Sequence, residues 1–174
     1  MAETPSPRVN QSLHAQTQAV LHDALVIALP DLQSCCRDPW TVIGSAAAWL
    51  VGAEVVVVDL DVLTSVRDAE TLIEHWQAKR VGDYVPAGAD RFRSHFARFA
   101  FSALPVEVMG GLEVFGTHGW EPLQIDQTIT VDFADLAIPV PMIAEQIRVL
   151  KIFGRPKDLQ RVTLLESIKG SKPC

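Results

Sequence analysis

Asp59-Leu60-Asp61 sets two carboxylates one residue apart, directly after the valine-rich run 55–58. Read as a strand over residues 55–63, this segment projects both acids from one face, because strand side chains alternate with a period of two. Two like charges held side by side are unfavourable, so such a pair calls for a cation to share. Oxygen-only ligands of this kind suit Mg²⁺, which takes one or two carboxylates and completes its shell with water and phosphate oxygens. The pair therefore points to phosphate chemistry; the alternative is a solvated strand end. A third acid, Glu107, stands inside the apolar run Val106-Glu107-Val108. Glutamate is rarely buried without a partner. On a strand beside the first, Glu107 joins Asp59 and Asp61 around two metal ions; otherwise it is an edge-strand acid turned to water. Gly44-Ser45 lies on a turn before an alanine-rich run. A glycine there lets the backbone approach an anion, and a helix start with a serine hydroxyl offers donors to it. As a dipeptide it is also a common turn.

The elements that must position these residues follow from periodicity and punctuation. Apolar residues at helical spacing predict a helix over 12–29, stopped by Pro30. A short strand over 40–43 leads through Gly44-Ser45 into a helix over 46–50, closed by Gly52. Ser65 to Asp68 resembles a capping box and opens a helix to about residue 79. Residues 81–89 read as a loop. Strands follow over 99–102, 106–109, 112–115, 121–124 and 128–131, with Gly110-Gly111 as a hairpin turn. Helices near 141–153 and 156–168 finish the chain, Pro156 suiting a first turn. The whole predicts one α/β (α+β) domain over residues 11–170, a small twisted mixed sheet flanked by helices, after a loose arm over residues 1–10.

The 174 residues are enough for one real core. A net charge of −6 excludes an overall basic field for nucleic acid. The run Lys79, Arg80, Arg91, Arg93 and Arg98 is the best local patch, or simply a solvated face. No apolar stretch is long enough to cross a bilayer and no signal peptide is evident, so the chain is expected to be cytoplasmic. Cys35, Cys36 and Cys174 form neither a disulfide framework nor a zinc spacing, and the first two read as inert thiols. His75, His95 and His118 read as surface residues. Trp49 reads as core, and Trp120 as the better surface for a nucleobase.

Taken together, Ile43-Gly44-Ser45, Asp59-Leu60-Asp61 and Val106-Glu107-Val108 resemble, in order, the signature of the nucleotidyltransferase superfamily that includes DNA polymerase β and the antibiotic nucleotidyltransferases. Residues 138–151 and Gly154-Arg155-Pro156-Lys157-Asp158 are similar to the lysine helix and Arg-x-Lys-Asp motif of its minimal bacterial branch, which contains the AbiEii-type toxins of toxin–antitoxin pairs. Arg161 stands where that branch usually carries a second acid. The resemblance covers residues 40–168. It implies Mg²⁺-dependent transfer of a nucleoside monophosphate from a nucleoside triphosphate to a hydroxyl. By that resemblance Asp59 and Asp61 hold both metal ions, and Glu107 the one that activates the acceptor. Gly44 and Ser45 cradle the triphosphate, Lys151 neutralises phosphate charge, and Asp158 orients Lys151 or Lys157. The acceptor is left open among an RNA end such as that of tRNA, a protein side chain and a small molecule. An antitoxin is an implied partner, and a non-catalytic nucleotide-binding or toxin–antitoxin protein that retains the fold is the alternative.

Overall fold

The computed structural model describes residues 7–86 and 88–171, with side chains over 11–86 and 88–170. Residues 1–6 of the expected arm lie outside the described residues, as does Cys174, and a helix already begins at Pro7. The elements are α1 (Pro7–Cys35), β1 (Thr41–Ile43), α2 (Gly44–Leu50), β2 (Leu60–Thr64), α3 (Val66–His75), β3 (Phe92–Phe99), β4 (Val106–Gly116), β5 (Gly119–Pro122), β6 (Thr128–Phe133), β7 (Leu136–Pro141), α4 (Ile143–Phe153) and α5 (Pro156–Ser171). A 3-10 turn, Gln77–Lys79, follows α3. The main sheet runs β1-β2-β4-β3, with β2 and β4 parallel and the other pairs antiparallel. β5 takes up the edge of β4 that β2 leaves. β6 and β7 form a separate ribbon beside β1, where Thr41 Oγ1 donates to the Pro139 carbonyl at 3.1 Å.

Several boundaries differ from the sequence reading. Pro30 does not stop α1, which continues five residues to Cys35. A helical proline removes the hydrogen bond to the carbonyl four residues back, and here that residue, Val26, is exposed, so water can take its place. The strand expected over 55–63 begins only at Leu60. β1 reaches no further than Ile43 opposite Asp61, and β4 starts at Val106 opposite Leu60, so residues 55–59 have no ladder to join. Val56 and Val58 are accordingly 61% and 59% exposed. β7 was not foreseen, because Pro139 and Pro141 argue against a strand interior; with only β6 laddered to it, it tolerates both. Ser65 does cap α3, its Oγ accepting from the Asp68 N–H at 3.2 Å.

Gly110-Gly111 is no hairpin turn, since β4 is continuous from Val106 to Gly116. Gly111 has φ +60, and the β3–β4 register slips there: Arg93 faces Glu113 but His95 faces Gly110. This is a bulge with glycine in the left-handed region. The extra residue changes which face each later side chain meets. Val106 and Val108 join the core under α1 and α3, whereas Leu112 and Val114 join the core under α4 and α5. Gly110 serves a different end, close packing. A Cβ there would lie 2.5 Å from Ala69 Cβ and 3.0 Å from the Ser65 carbonyl, so α3 can rest on the sheet only over a bare backbone.

Glu107 and Met109 share the α4/α5 face of β4, as Asp61 and Leu63 do on β2. The acids are thus turned toward the C-terminal helices. Gly110→Ala is expected to destabilise the fold by about 1–3 kcal/mol through overpacking. Gly82→Ala, with open space around its Cβ, should change stability by less than about 0.5 kcal/mol. Urea unfolding of both variants checks this.

Candidate active site

Parallel pairing of β2 with β4 puts Asp61 directly beside Glu107, and Asp59 stands one residue before β2. Oxygens of Asp59, Asp61 and Glu107 all lie within 4.8 Å of one another, a grouping that could hold a metal ion. Burial first, then the Asp59 and Glu107 charges, push the Asp61 carboxyl well above the usual carboxylate range, with Arg161 opposing. Burial and Glu107 likewise raise Asp59, against the pull of Arg98, Lys157 and Arg161. In both, burial and like charge outweigh the nearby cations. Three hard oxygen ligands in a partly desolvated cleft fit Mg²⁺ or Mn²⁺.

The trio lines a cavity of about 370 Å³. Ile43 and Gly44 line it beside the acids. Tyr84, Phe92, Phe96, Met109, Leu150 and Phe153 make an apolar wall, and Arg155, Lys157 and Arg161 bring positive charge from the start of α5. Gly44, at φ +70, has its absent Cβ directed at Oδ2 of Asp61. Its bareness makes room for the carboxylate. Ser45 is buried, does not line the cavity, and its Oγ has no hydrogen-bond partner among the described residues.

Asp158 is completely buried and fixes the arginines. It accepts from the Arg155 backbone N–H at 3.2 Å and from Arg155 Nε at 2.6 Å, and its other oxygen lies 3.9 Å from Arg161 Nη1. An acid at the third helical position reaching back to the residue before the helix is the second half of a capping box. The Arg155 guanidinium also lies over the rings of Phe92 and Phe153, at 4.9 and 5.5 Å. Asp158 therefore holds Arg155 by hydrogen bonds and attracts Arg161 at longer range, rather than Lys151 or Lys157. Lys151 is elsewhere: its Nζ donates to Glu166 at 2.9 Å, and it is not on the cavity wall.

Arg98 is the other cation at the site. It faces Glu107 across the β3–β4 ladder, donates to it, and stands 3.6 Å from Asp59 Oδ2. In sequence it belongs to a basic run whose members separate in the fold: Lys79 lies over Phe101, while Arg93 pairs with Glu113 and lines the cavity. Arg98 was missed because its relation to Glu107 depends on a register that no local pattern reveals. Arg155 and Arg161 carried a readable signal, the spacing of three residues on either side of Asp158, with Pro156 marking the helix start.

Other residues fall away from the cavity. Trp49 is buried against Phe133 and His14. Trp120 lies under the Arg93 guanidinium and does not line the cavity, nor does His75, His95 or His118. Burial and the Asp68 carboxylate push the Cys36 thiol up to about 11, in keeping with an inert group.

No family model matches the chain, and no curated protein matches it in sequence. Several solved structures share its architecture. A candidate nucleotidyltransferase from Thermotoga maritima superposes with a TM-score of 0.65 at 21% identity, over 80% of this chain and 89% of that one. The lincosamide antibiotic adenylyltransferase LnuA, solved with lincomycin bound, gives 0.55 at 12% identity, over 84% and 97%. The chain thus has the mixed α/β architecture of the nucleotidyltransferase fold. Among the described residues no helix is long and apolar enough to cross a membrane.

Gly44→Ala should disturb Asp61 in particular, through both the left-handed backbone and the overlap with its carboxylate. Mn²⁺ affinity, followed by calorimetry, is expected to fall by roughly 10–100-fold, the usual effect of displacing a ligand's support.

Proposed function

We propose that the chain is a Mg²⁺-dependent nucleotidyltransferase that moves a nucleoside monophosphate from a nucleoside triphosphate to a hydroxyl. One observation carries the reading: three convergent carboxylates and four cations, Arg93, Arg155, Lys157 and Arg161, line a single cavity. A carboxylate trio alone binds metal, and a basic cluster alone binds anions. Lining one cavity together, they suit a substrate that is itself a metal–polyphosphate.

Asp59 and Asp61 would hold the cation, which when bound screens the phosphate charge and polarises the reacting oxygens. Arg155 and Arg161, held by Asp158, and the exposed Lys157 would take the triphosphate. In the transfer the acceptor oxygen bonds to the α-phosphorus, the bond from that phosphorus to the bridging oxygen breaks, pyrophosphate leaves with the bond pair, and the hydroxyl proton passes to solvent. Catalysis of this kind is mostly positioning and charge stabilisation. The apolar wall of Tyr84, Phe92, Phe96 and Phe153 would exclude water and stack a planar ring. The same wall, with the net charge of −6, favours a small acceptor over an extended nucleic acid.

Incubation with each labelled triphosphate, Mg²⁺ and a cell extract tests the reading. A labelled small molecule and metal-dependent pyrophosphate release support it. Label on RNA or on protein would point instead to an AbiEii-like toxin, with an antitoxin as partner. Metal and nucleotide binding without pyrophosphate release would leave a non-catalytic nucleotide-binding protein. Asp59→Asn and Asp61→Asn should each lower turnover by about 10²–10³-fold, the scale for deleting one electrostatic stabiliser. Arg161→Ala should raise the KM for triphosphate about 10-fold, the loss of one charge-assisted hydrogen bond. Lys151→Ala, away from the cavity, should change it less than about 2-fold, as for an exposed ion pair. Steady-state kinetics separates these.

A further inference from the structure

Glu107 already has a cation. Arg98 lies directly opposite it on β3 and donates to it, and the same Nη1 stands 3.6 Å from Asp59. The arginine is restrained from several sides. Its guanidinium lies 4.4 Å over the Tyr84 ring, and its carbonyl accepts from the Val81 N–H at 2.8 Å. Only 20% of its side chain is exposed. This is a placed charge spanning two of the three acids, not a solvated strand residue.

We propose that Arg98 is a built-in counter-cation that takes the place of one metal ion between Asp59 and Glu107, so that the nucleotide-free protein carries a single divalent cation, held by Asp59 and Asp61. The inference rests on the metal-site reading above and sets its stoichiometry. Charge supports it: among the groups in direct contact, three carboxylates and one guanidinium leave two negative charges, the amount that one divalent ion balances, and Lys157 and Arg161 add positive charge from farther off. Two ions beside the guanidinium would leave an excess of positive charge in a half-buried cleft, with nothing to offset it until a polyphosphate arrives. Geometry supports it too. The Glu107 oxygen that receives Arg98 has one of its lone-pair directions filled, and the guanidinium occupies the approach between Glu107 and Asp59. Arginine suits the task because it stays charged throughout the physiological range and is more weakly hydrated than lysine.

Titration of the full chain with Mn²⁺ in the absence of nucleotide tests this, with free ion followed by electron paramagnetic resonance and binding by calorimetry. The wild-type protein and Arg98→Lys are expected to bind one Mn²⁺ per chain. Arg98→Met, folded by circular dichroism, is expected to bind two, with the spin-coupled signal of neighbouring ions. Two ions in the wild-type protein would overturn the proposal, as would a single ion in folded Arg98→Met. No ion in either would overturn the metal-site reading itself. If Arg98→Met does not fold, nitrogen-15 NMR of the wild-type Arg98 Nε–H decides, assigned by its loss in Arg98→Lys. The resonance should persist unshifted at Mg²⁺ saturation, and its collapse to that of a free guanidinium would contradict the proposal.

Discussion

Repulsion among three carboxylates is the constraint around which this structure is organised. Parallel pairing of β2 with β4 sets Asp61 beside Glu107, and Asp59 completes the cluster just outside the ladder. Such a cluster is costly to a fold unless cations answer it. The sheet directs it away from the core of α1 and α3 and toward the side where α4 and α5 pack. The answering charges are found there and on β3: Arg98 across the ladder, Lys157 and Arg161 on the cavity wall.

The elements around the acids serve the same end. The bulge at Gly111 changes the facing of β4 midway, so that Leu112 and Val114 carry the α4/α5 core while Glu107 stays at the cavity. Gly110 allows α3 to close the opposite face. Gly44 ends β1 on a conformation that leaves space for one carboxylate. Asp158, wholly buried, links the first turn of α5 to two arginines and so converts a helix start into an anchored basic wall.

How much of this was legible in the chain depended on whether the signal was local. Asp59-Leu60-Asp61, Glu107 and the Ser65 cap could be read because their meaning lies in residue type and spacing. The mixed α/β class followed from the alternation of apolar periods. Arg98 could not be read, since only the register of β3 on β4 brings it to Glu107. Gly110-Gly111 misled for a related reason: a glycine pair looks alike in a hairpin turn and in a bulge under a helix, and only the packed helix distinguishes them. Pro139 and Pro141 hid β7, because a proline-bearing strand is acceptable where one edge goes unladdered. Lys151 matched a motif in spacing, yet its helix turns it toward Glu166 and away from the cavity.

The central claim is that the acids and the α5 cations form one site for a metal–triphosphate. Crystals soaked with Mn²⁺ and a non-hydrolysable triphosphate, examined by anomalous diffraction, test it most directly. The account predicts manganese coordinated by Asp59 and Asp61, with the phosphates reaching Arg155, Lys157 and Arg161. Manganese absent from the acids, or a triphosphate bound outside this cavity, would contradict it.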